Sequence, residues 1–167
     1  MTAVAHPKLS MRPFLPADTP VLAEIFRASV EELTVDDYSE GQRQAWAATV
    51  DDEAALGARL GKQLSLLGMM GGSPVGFVSL KGADRIDMLY VHPAAAGHGV
   101  GSMLIDALEK LAGSRGATLL VADVSDSAHD FFQRRGFTPK LRNTVPLGDE
   151  WLANTTMEKK LATKEGA

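Results

Sequence analysis

Apolar and polar positions repeat with two different periods near the middle of the chain. A short apolar run at residues 86–91 is rich in strand-forming residues, and Pro93 ends it because proline has no backbone N–H for a sheet ladder. Three glycines then stand at alternate positions, and a helical period follows them. The apolar face of that helix consists of Val100, Leu104, Ala107, Leu108 and Leu111. The pattern predicts a strand, a glycine turn and a helix.

The N-terminal part of the chain shows one strand pattern followed by helical periods. A first strand is expected at residues 10–15, and Asp18 is expected to cap a helix that runs to Leu33. Further helical segments are expected at residues 38–49 and 51–60. The first helix ends in an acidic cluster, which is either a solvated helix end or a collar that attracts a cationic amine. Its members are Glu31, Glu32, Asp36 and Asp37.

The remaining apolar runs are short, and turn residues separate them, as is typical of strands. The predicted strands occupy residues 64–70, 75–80, 118–124, 137–143 and 152–159. Asp126 or Ser127 is expected to cap a short helix that ends at Arg135. The order of helices and strands predicts one domain of the α/β (α+β) class.

The three glycines of the turn, Gly97, Gly99 and Gly101, allow two interpretations. The first turn of a helix has unpaired N–H groups and a partial positive charge, so a glycine turn that opens a helix favours anions such as phosphate. The alternative is a plain strand-to-helix turn whose glycines serve packing. The spacing is not G-x-G-x-x-G, and no G-K-[ST] follows, so dinucleotide and nucleotide phosphate loops are excluded.

Composition narrows the class of protein. The 167 residues are 45% hydrophobic and 23% charged, which is ordinary for one globular domain. We expect a flexible N-terminus at residues 1–9, the domain at 10–162 and a tail at 163–167. The net charge of −4 argues against sequence-independent nucleic-acid binding. With no apolar run of membrane-span length and no signal-peptide pattern, we expect a cytoplasmic protein without a membrane partner.

The chain contains no cysteine. A disulfide framework, a zinc–thiolate site and a cysteine nucleophile are therefore excluded, and we expect no bound metal. Any group-transfer chemistry proceeds without a covalent cysteine intermediate.

Two motifs resemble the GNAT superfamily of acyl-CoA N-acyltransferases. Its first signature is a strand ending in L-x-V-x-P, followed by Q/R-x-x-G-x-G/A at the start of a helix. Residues 89–93 match the strand end, and Gly99 with Gly101 match the glycine pair, but Ala96 stands where glutamine or arginine is usual. The second signature matches residues 125–137, as S-x-x-A-x-x-F-F-x-x-x-G-F, a form that resembles a less characterised bacterial branch.

The resemblance implies a GNAT fold, with a mixed, mostly antiparallel sheet of about six to seven strands flanked by helices. It also implies acetyl-CoA as co-substrate, a small-molecule or peptide amine as acceptor, and compatibility with a homodimer. The residues that it assigns to coenzyme A are Leu89, Tyr90, Val91, Ala96, Gly97, His98, Gly99, Val100, Gly101, Ser102, Ser125, Phe132 and Arg134. Tyr38 and Trp46 are expected to line the acceptor side, although each is also a candidate for core packing.

GNAT enzymes carry out direct attack by an amine on the acetyl thioester, which requires a neutral amine. A lysine-like amine is only about 1 in 2,500 deprotonated at pH 7, so a base is useful. Asp87 is the candidate base because it interrupts an apolar strand; the alternative is a polar residue on an exposed strand face. Phe132 stands where the family commonly has a tyrosine that protonates the departing thiolate, which phenylalanine cannot do. The changes at Ala96, Ser125 and Phe132 keep a non-catalytic acyl-CoA-binding module as an alternative function.

Overall fold

A computed structural model describes residues 8–162, which form seven strands and five α-helices. The helices are α1 Thr19–Leu33, α2 Glu40–Ala47, α3 Glu53–Gly61, α4 Val100–Ser114 and α5 His129–Arg134. The strands are β1 Leu9–Pro13, β2 Leu64–Met70, β3 Ser73–Lys81, β4 Arg85–Val91, β5 Leu119–Ser125, β6 Thr138–Leu147 and β7 Glu150–Lys160. Within these residues, no helix has both the length and the apolar content needed to cross a membrane.

All seven strands belong to one sheet with the order β1-β2-β3-β4-β5-β7-β6. Every neighbouring pair is antiparallel except β4 and β5, which run parallel and pair only at Arg85↔Val121 and Ile86↔Ala122. Beyond those two positions β4 stays with β3, while β5 pairs with β7 along its whole length. The two halves of the sheet therefore part at a fork. The mixed, mostly antiparallel sheet with flanking helices confirms the predicted class.

Two apolar clusters cover the two faces of the sheet. The first packs α4 and α5 against β3, β4, β5 and β7, and it includes Leu80, Leu104, Leu108, Leu120, Phe137 and Met157. The second packs α1, α2 and α3 against β2, β3 and β4, and it includes Leu22, Phe26, Leu60, Leu67, Phe77 and Met88. Helix α4 buries Ile105 and Ala112 beside Val100, Leu104 and Leu108. Ala107 and Leu111, which the sequence places on that face, are only half-buried.

Two predicted helix caps are wrong. Asp18 makes no side-chain cap, because its carboxylate accepts hydrogen bonds from Arg12 at 2.7 and 2.8 Å and from the Leu15 N–H at 2.8 Å. Helix α5 also lacks a side-chain cap, since Asp126 pairs with Arg142 (2.5 Å, Nη1 to Oδ1). In both cases a nearby arginine outcompetes the helix N-terminus, because two charges attract more strongly than a charge and a partial dipole.

Strand boundaries differ from the prediction at the two ends of the sheet. Strand β1 begins at Leu9 rather than at residue 10, and β6 runs to Leu147 rather than residue 143. Backbone pairing with β7 extends β6 through residues whose propensity alone does not predict a strand. Of the expected N-terminus and tail, residues 1–7 and 163–167 lie outside the described part of the chain.

The N-terminus of α4 approaches the sheet closely at Gly68 and Gly76. A Cβ atom at Gly76 would lie 3.0 Å from both the Tyr90 carbonyl oxygen and Val100 Cγ1, and one at Gly68 would lie 2.9 Å from the same Val100 atom. Side chains at these two positions would push the start of α4 away from β2 and β3. The two glycines therefore set the height of α4 above the sheet.

We expect Gly76→Ala to lower the free energy of unfolding by about 1–3 kcal/mol, because the added methyl group overpacks this contact. Urea denaturation followed by circular dichroism measures the change. The matched control is Gly113→Ala. Gly113 lies within α4, and a Cβ atom there meets nothing within 4 Å. That control should raise stability by up to about 1 kcal/mol through helix propensity. Unchanged stability of Gly76→Ala would contradict the close approach.

Candidate active site

A cavity of about 500 Å³ lies in the fork between β4 and β5 and is lined by residues from both faces of the sheet. One side, which we call the α4 half, is lined by Leu89, Val91, Gly101, Ser125, Ala128, Phe131 and Phe132. The other side, the α1 half, is lined by Phe26, Ser29, Leu33, Thr34, Tyr38, Trp46, Thr49 and Tyr90. Val145, Leu147 and Leu152 of the β6–β7 hairpin add a third wall. One continuous space thus connects the helix α4 side to the helix α1 side.

Strand β4 presents a free backbone edge to this cavity. Its last pair with β5 is at Ile86, so backbone groups of residues 87–91 that point away from β3 meet the fork instead of a neighbouring strand. Leu89 and Val91 pack toward α4, whereas Tyr90 packs toward α1, with its ring centroid 4.3 Å from that of Phe26. Of the three predicted cofactor-binding residues on this strand, Tyr90 therefore places its side chain in the α1 half.

The glycine turn adopts a backbone that favours glycine. Gly97 and Gly99 have φ values of 79° and 86°, in the left-handed region where side chains are strained. The first helical hydrogen bond of α4 runs from the Met103 N–H to the Gly99 carbonyl at 3.0 Å, so the N–H groups of Gly101 and Ser102 precede the helical ladder. Free N–H donors and the positive end of the helix dipole are the physical features that favour an anion at this turn.

Side chains near the turn differ in what they offer a ligand. Ala96 and His98 are exposed, and His98 Nδ1 lies 3.0 Å from the Ala96 carbonyl oxygen, which ties the ring to the loop. Val100 is buried in the core, so this predicted cofactor-binding residue offers only its backbone. At Gly101 a Cβ atom would lie 3.4 Å from the ring of Phe131, which leaves little room for a side chain between helix and ring.

Ser125 and Phe132 both line the α4 half of the cavity. Ser125 Oγ accepts a hydrogen bond from the Ala128 N–H at 3.2 Å, so its own hydrogen remains available to a ligand. Phe132 is buried between Phe131 and Phe137 in two edge-to-face contacts, with centroids 5.5 and 5.0 Å apart. Arg134 is exposed on α5 and does not line the cavity.

The carboxylate of Asp87 lines the cavity in a fully paired environment. Arg59 donates to it through Nε at 2.6 Å and Nη2 at 2.9 Å, and Gln63 Nε2 donates at 2.8 Å. Burial raises the pKa of the Asp87 carboxyl, but the hydrogen bonds from Arg59 and Gln63 and the Arg59 charge outweigh burial and bring this pKa below its ordinary value. Asp87 is also the extra residue of a bulge, because Met88 pairs with Ser79 and Ile86 with Leu80.

Tyr38 and Trp46 lie together in the α1 half, in an edge-to-face pair with centroids 5.3 Å apart. The Tyr38 hydroxyl donates to the Ala153 carbonyl at 2.6 Å and accepts from the Asp126 N–H at 2.9 Å. Tyr38 therefore ties the segment between α1 and α2 to both β7 and the β5–α5 loop. Burial raises the pKa of Tyr38, and burial raises the pKa of Tyr90 to about 12, so both phenols remain neutral near pH 7.

Several lining residues were not predicted from the sequence. Arg59 on α3 lines the cavity, and Gln63, which follows that helix, shares the Asp87 carboxylate with it. Nothing in their local pattern distinguishes these two residues from surface residues. Phe26 lies on α1, and the part of the cavity wall that Val145 and Leu147 supply depends on a strand extension that propensity does not predict. In each case the position of the residue at the cavity depends on a tertiary contact or on strand pairing rather than on its local pattern.

Comparison of the sequence with known proteins matches N-acetyltransferases. A family model described as an acetyltransferase (GNAT) domain matches residues 34–161. The N-acetyltransferase YafP of Escherichia coli K12 is 32% identical over 152 residues, which cover 91% of this chain and 96% of that protein. YjaB of Salmonella typhimurium, a peptidyl-lysine N-acetyltransferase, is 29% identical over 124 residues, or 74% of this chain and 69% of YjaB.

Solved structures show the same fold. A GCN5-related N-acetyltransferase from Rhodopseudomonas palustris has a TM-score of 0.91 and 57% identity, covering 96% of this chain and 100% of that one. The PaiA N-acetyltransferase of Thermoplasma acidophilum, in complex with coenzyme A, has a TM-score of 0.75 and 19% identity, covering 92% and 99%.

We expect Ser102→Glu to abolish ligand stabilisation by acetyl-CoA while the protein stays folded. The new carboxylate is favourable at a helix N-terminus but occupies and repels the anion position. At 100 times its dissociation constant, acetyl-CoA should raise the stability of the parent by about 2.7 kcal/mol, read as a shift in thermal unfolding. Ser102→Ala is the matched control and should keep the shift. An undiminished shift in Ser102→Glu would place the cofactor elsewhere.

Proposed function

Since this chain belongs to the GNAT family and is an acetyl-CoA-dependent N-acetyltransferase, we propose that it transfers the acetyl group to a primary amine by direct attack in a ternary complex. The observation that carries the proposal is the cavity in the fork, with the glycine turn and the start of α4 on one face and an aromatic wall on the other. Cofactor and acceptor can then enter from opposite sides and meet beside the free edge of β4.

In this proposal the α4 half holds acetyl-CoA. The backbone of residues 96–102 binds the pyrophosphate, and Gly97 and Gly99 supply the turn that exposes the N–H donors. The pantetheine arm lies along the free edge at residues 89–91, with Ser125 and Phe132 beside the thioester sulfur. Arg134 is exposed on α5 and is assigned to a phosphate of the cofactor. Because Ala96 has no cationic side chain, the grip on phosphate depends on backbone donors.

The reaction needs a neutral amine nitrogen, which attacks the thioester carbon. The N–C bond forms, the C–S bond breaks, and the electron pair of that bond leaves on sulfur. A backbone N–H of the free β4 edge stabilises the developing oxyanion. A thiol with a pKa of about 8.5 can leave as the thiolate without being protonated first. The lack of an acidic group at Phe132 therefore does not prevent turnover. The Ser125 hydroxyl, whose hydrogen is not used in the bond to Ala128, can donate to the sulfur.

Asp87 remains the candidate proton acceptor for the amine, acting through water. Three donors already engage its two oxygens, and its lowered pKa makes it a weaker base than a free carboxylate. The same pairing gives it a second role that does not depend on proton transfer. It fixes the bulge of β4 against α3 and thereby positions the free edge. The two roles predict different pH behaviour.

The acceptor lies in the α1 half in this proposal, with Tyr38 and Trp46 among its contacts. Among the relatives, YjaB bears the name of a peptidyl-lysine N-acetyltransferase, which is one form of primary amine. The experiment that tests the proposal is thiol release from acetyl-CoA across a panel of small amines and lysine peptides. Release coupled to acetylated product supports transfer. Binding of acetyl-CoA without release for any amine would favour the non-catalytic acyl-CoA-binding module.

We expect Asp87→Asn to lower kcat/KM by about 10²–10⁴-fold if Asp87 is the base, and to alter the ascending limb of the pH–rate curve. The Arg59→Gln variant tests the direction in which the ascending limb moves. Removing the cation raises the pKa of Asp87, so the ascending limb should move to higher pH. The measurement is kcat/KM with one amine from about pH 3 to pH 10, because the lowered pKa of Asp87 places its titration below the ordinary aspartate value of about 3.9.

A purely positioning role gives another pattern in the same measurement. Both variants would then lower the rate by a similar factor, and the ascending limb would stay where the amine and solvent place it. Parent-like turnover of Asp87→Asn at every pH would exclude both roles.

A further inference from the structure

The α1 half of the cavity is a cage of aromatic rings. The centroid of Trp46 lies 5.3 Å from that of Tyr38 and 6.4 Å from that of Tyr90, at interplanar angles of 71° and 70°. Phe26 packs on Tyr90 with a centroid distance of 4.3 Å. Leu33 also lines this half, and the adjoining wall from the β6–β7 hairpin adds the aliphatic side chains of Val145, Leu147 and Leu152. Such edge-to-face contacts are the geometry in which one further aromatic ring packs favourably.

Three hydroxyl groups that line this half, those of Tyr38, Thr34 and Thr49, already make hydrogen bonds. The Tyr38 hydroxyl both donates and accepts a hydrogen bond, to Ala153 and from Asp126. Thr34 Oγ1 donates to the Val30 carbonyl, and Thr49 Oγ1 donates to the Trp46 carbonyl. These hydroxyls are therefore committed to backbone carbonyls.

The charged groups that line the cavity are also paired. They are Arg59, Asp87 and Asp123. Arg59 is bidentate to Asp87, and Asp123 accepts a hydrogen bond from Thr156 at 2.6 Å and lies 3.5 Å from Arg85. A second ammonium group placed in the α1 half would find no carboxylate free of an arginine partner among these lining residues. Burying such an unpaired charge is costly.

The walls of this half are also held in place. Tyr38 links the α1–α2 segment to β7 and to the β5–α5 loop, and Gln42 Nε2 donates to the Trp151 carbonyl at 2.7 Å. The whole cavity is about 500 Å³. In the proposed function the acyl end of the cofactor and the acceptor both occupy it. That volume belongs to the small-molecule range of about 300–1,000 Å³. It accommodates a one-ring ligand beside the thioester.

From these contacts we propose that the acceptor is a small arylalkyl primary amine, whose aromatic ring packs against Trp46, Tyr38 and Tyr90 while its amine points at the fork. This inference rests on the proposed transferase function and names its substrate class. The ring contributes aromatic contact, and the single positive charge is lost when the amine releases its proton before attack. A polyamine or a lysine peptide brings further polar groups that this wall does not satisfy.

The test compares primary amines that carry different groups: an aromatic ring, an alkyl chain, a saturated ring, a polyamine chain and a peptide. We expect 2-phenylethylamine to exceed hexylamine and 2-cyclohexylethylamine in kcat/KM by about two- to tenfold, the range of an aromatic contact. It should exceed spermidine and a lysine peptide by at least about tenfold, because their additional polar groups lack partners. Thiol release and product mass are measured at one pH for all five.

Trp46→Leu removes the central ring while keeping an apolar side chain. It should reduce the preference for 2-phenylethylamine over hexylamine to about one, with the acetyl-CoA thermal shift unchanged. The matched control is Trp151→Leu, because Trp151 is 61% exposed on β7 and does not line the cavity. That control should keep the parent preference. Thermal unfolding of each variant shows that it is folded.

The outcomes separate this inference from the proposed function. Faster turnover of spermidine, the peptide or hexylamine than of 2-phenylethylamine overturns the aromatic acceptor and leaves the transferase standing. An unchanged preference in folded Trp46→Leu also overturns it. No thiol release with any amine, in protein that acetyl-CoA stabilises, overturns both proposals together.

Discussion

The parting of β4 from β5 is the constraint on which the rest of the molecule depends. Two parallel pairs join the strands, and then each follows another partner: β4 stays on β3, and β5 stays on β7. A sheet in hydrogen-bonded register leaves no space for a ligand between strands. Ending the register after Ile86 creates that space and leaves backbone groups of β4 unpaired at its edge. Those groups can bind an extended chain or an oxyanion.

The bulge at Asp87 lies at the point where the strands part. Its carboxylate is held by Arg59 of α3 and by Gln63, which follows that helix, so the irregular residue of β4 is fixed to the helix layer as well as to the sheet. Because the folded pKa of this carboxyl is lowered, the pairing stabilises the fold above the ordinary aspartate pKa and is lost as pH falls through the lowered value. Asp87, the candidate proton acceptor, thus also maintains the geometry of the fork.

Tyr38 connects the α1–α2 segment to the β5–β7 part of the sheet across the cavity. Its hydroxyl bonds to β7 and to the loop before α5. The same region is also held by the contact of Tyr38 with Trp46, by the capping of α2 by Ser39 and by the hydrogen bond from Gln42 to the Trp151 carbonyl. The wall formed by Tyr38 and Trp46 is therefore fixed by contacts that join the β5–β7–β6 part of the sheet to the helices.

Local pattern by itself determined most of the elements and the glycine turn before α4, because a turn between a strand and an amphipathic helix depends on neighbours in sequence. Gly97, Gly99 and the start of α4 followed from residues 86–112 alone. The tertiary structure decided the rest. It directed Asp18 and Asp126 to arginines instead of helix ends, paired Asp87 with Arg59, and extended β6 along β7. Each depends on a partner outside the segment that carries the local pattern: Arg12 stands six residues before Asp18, Arg59 stands 28 residues before Asp87, and β6 is extended by its pairing with β7. The free energy of such a contact exists only once the chain brings the partners together.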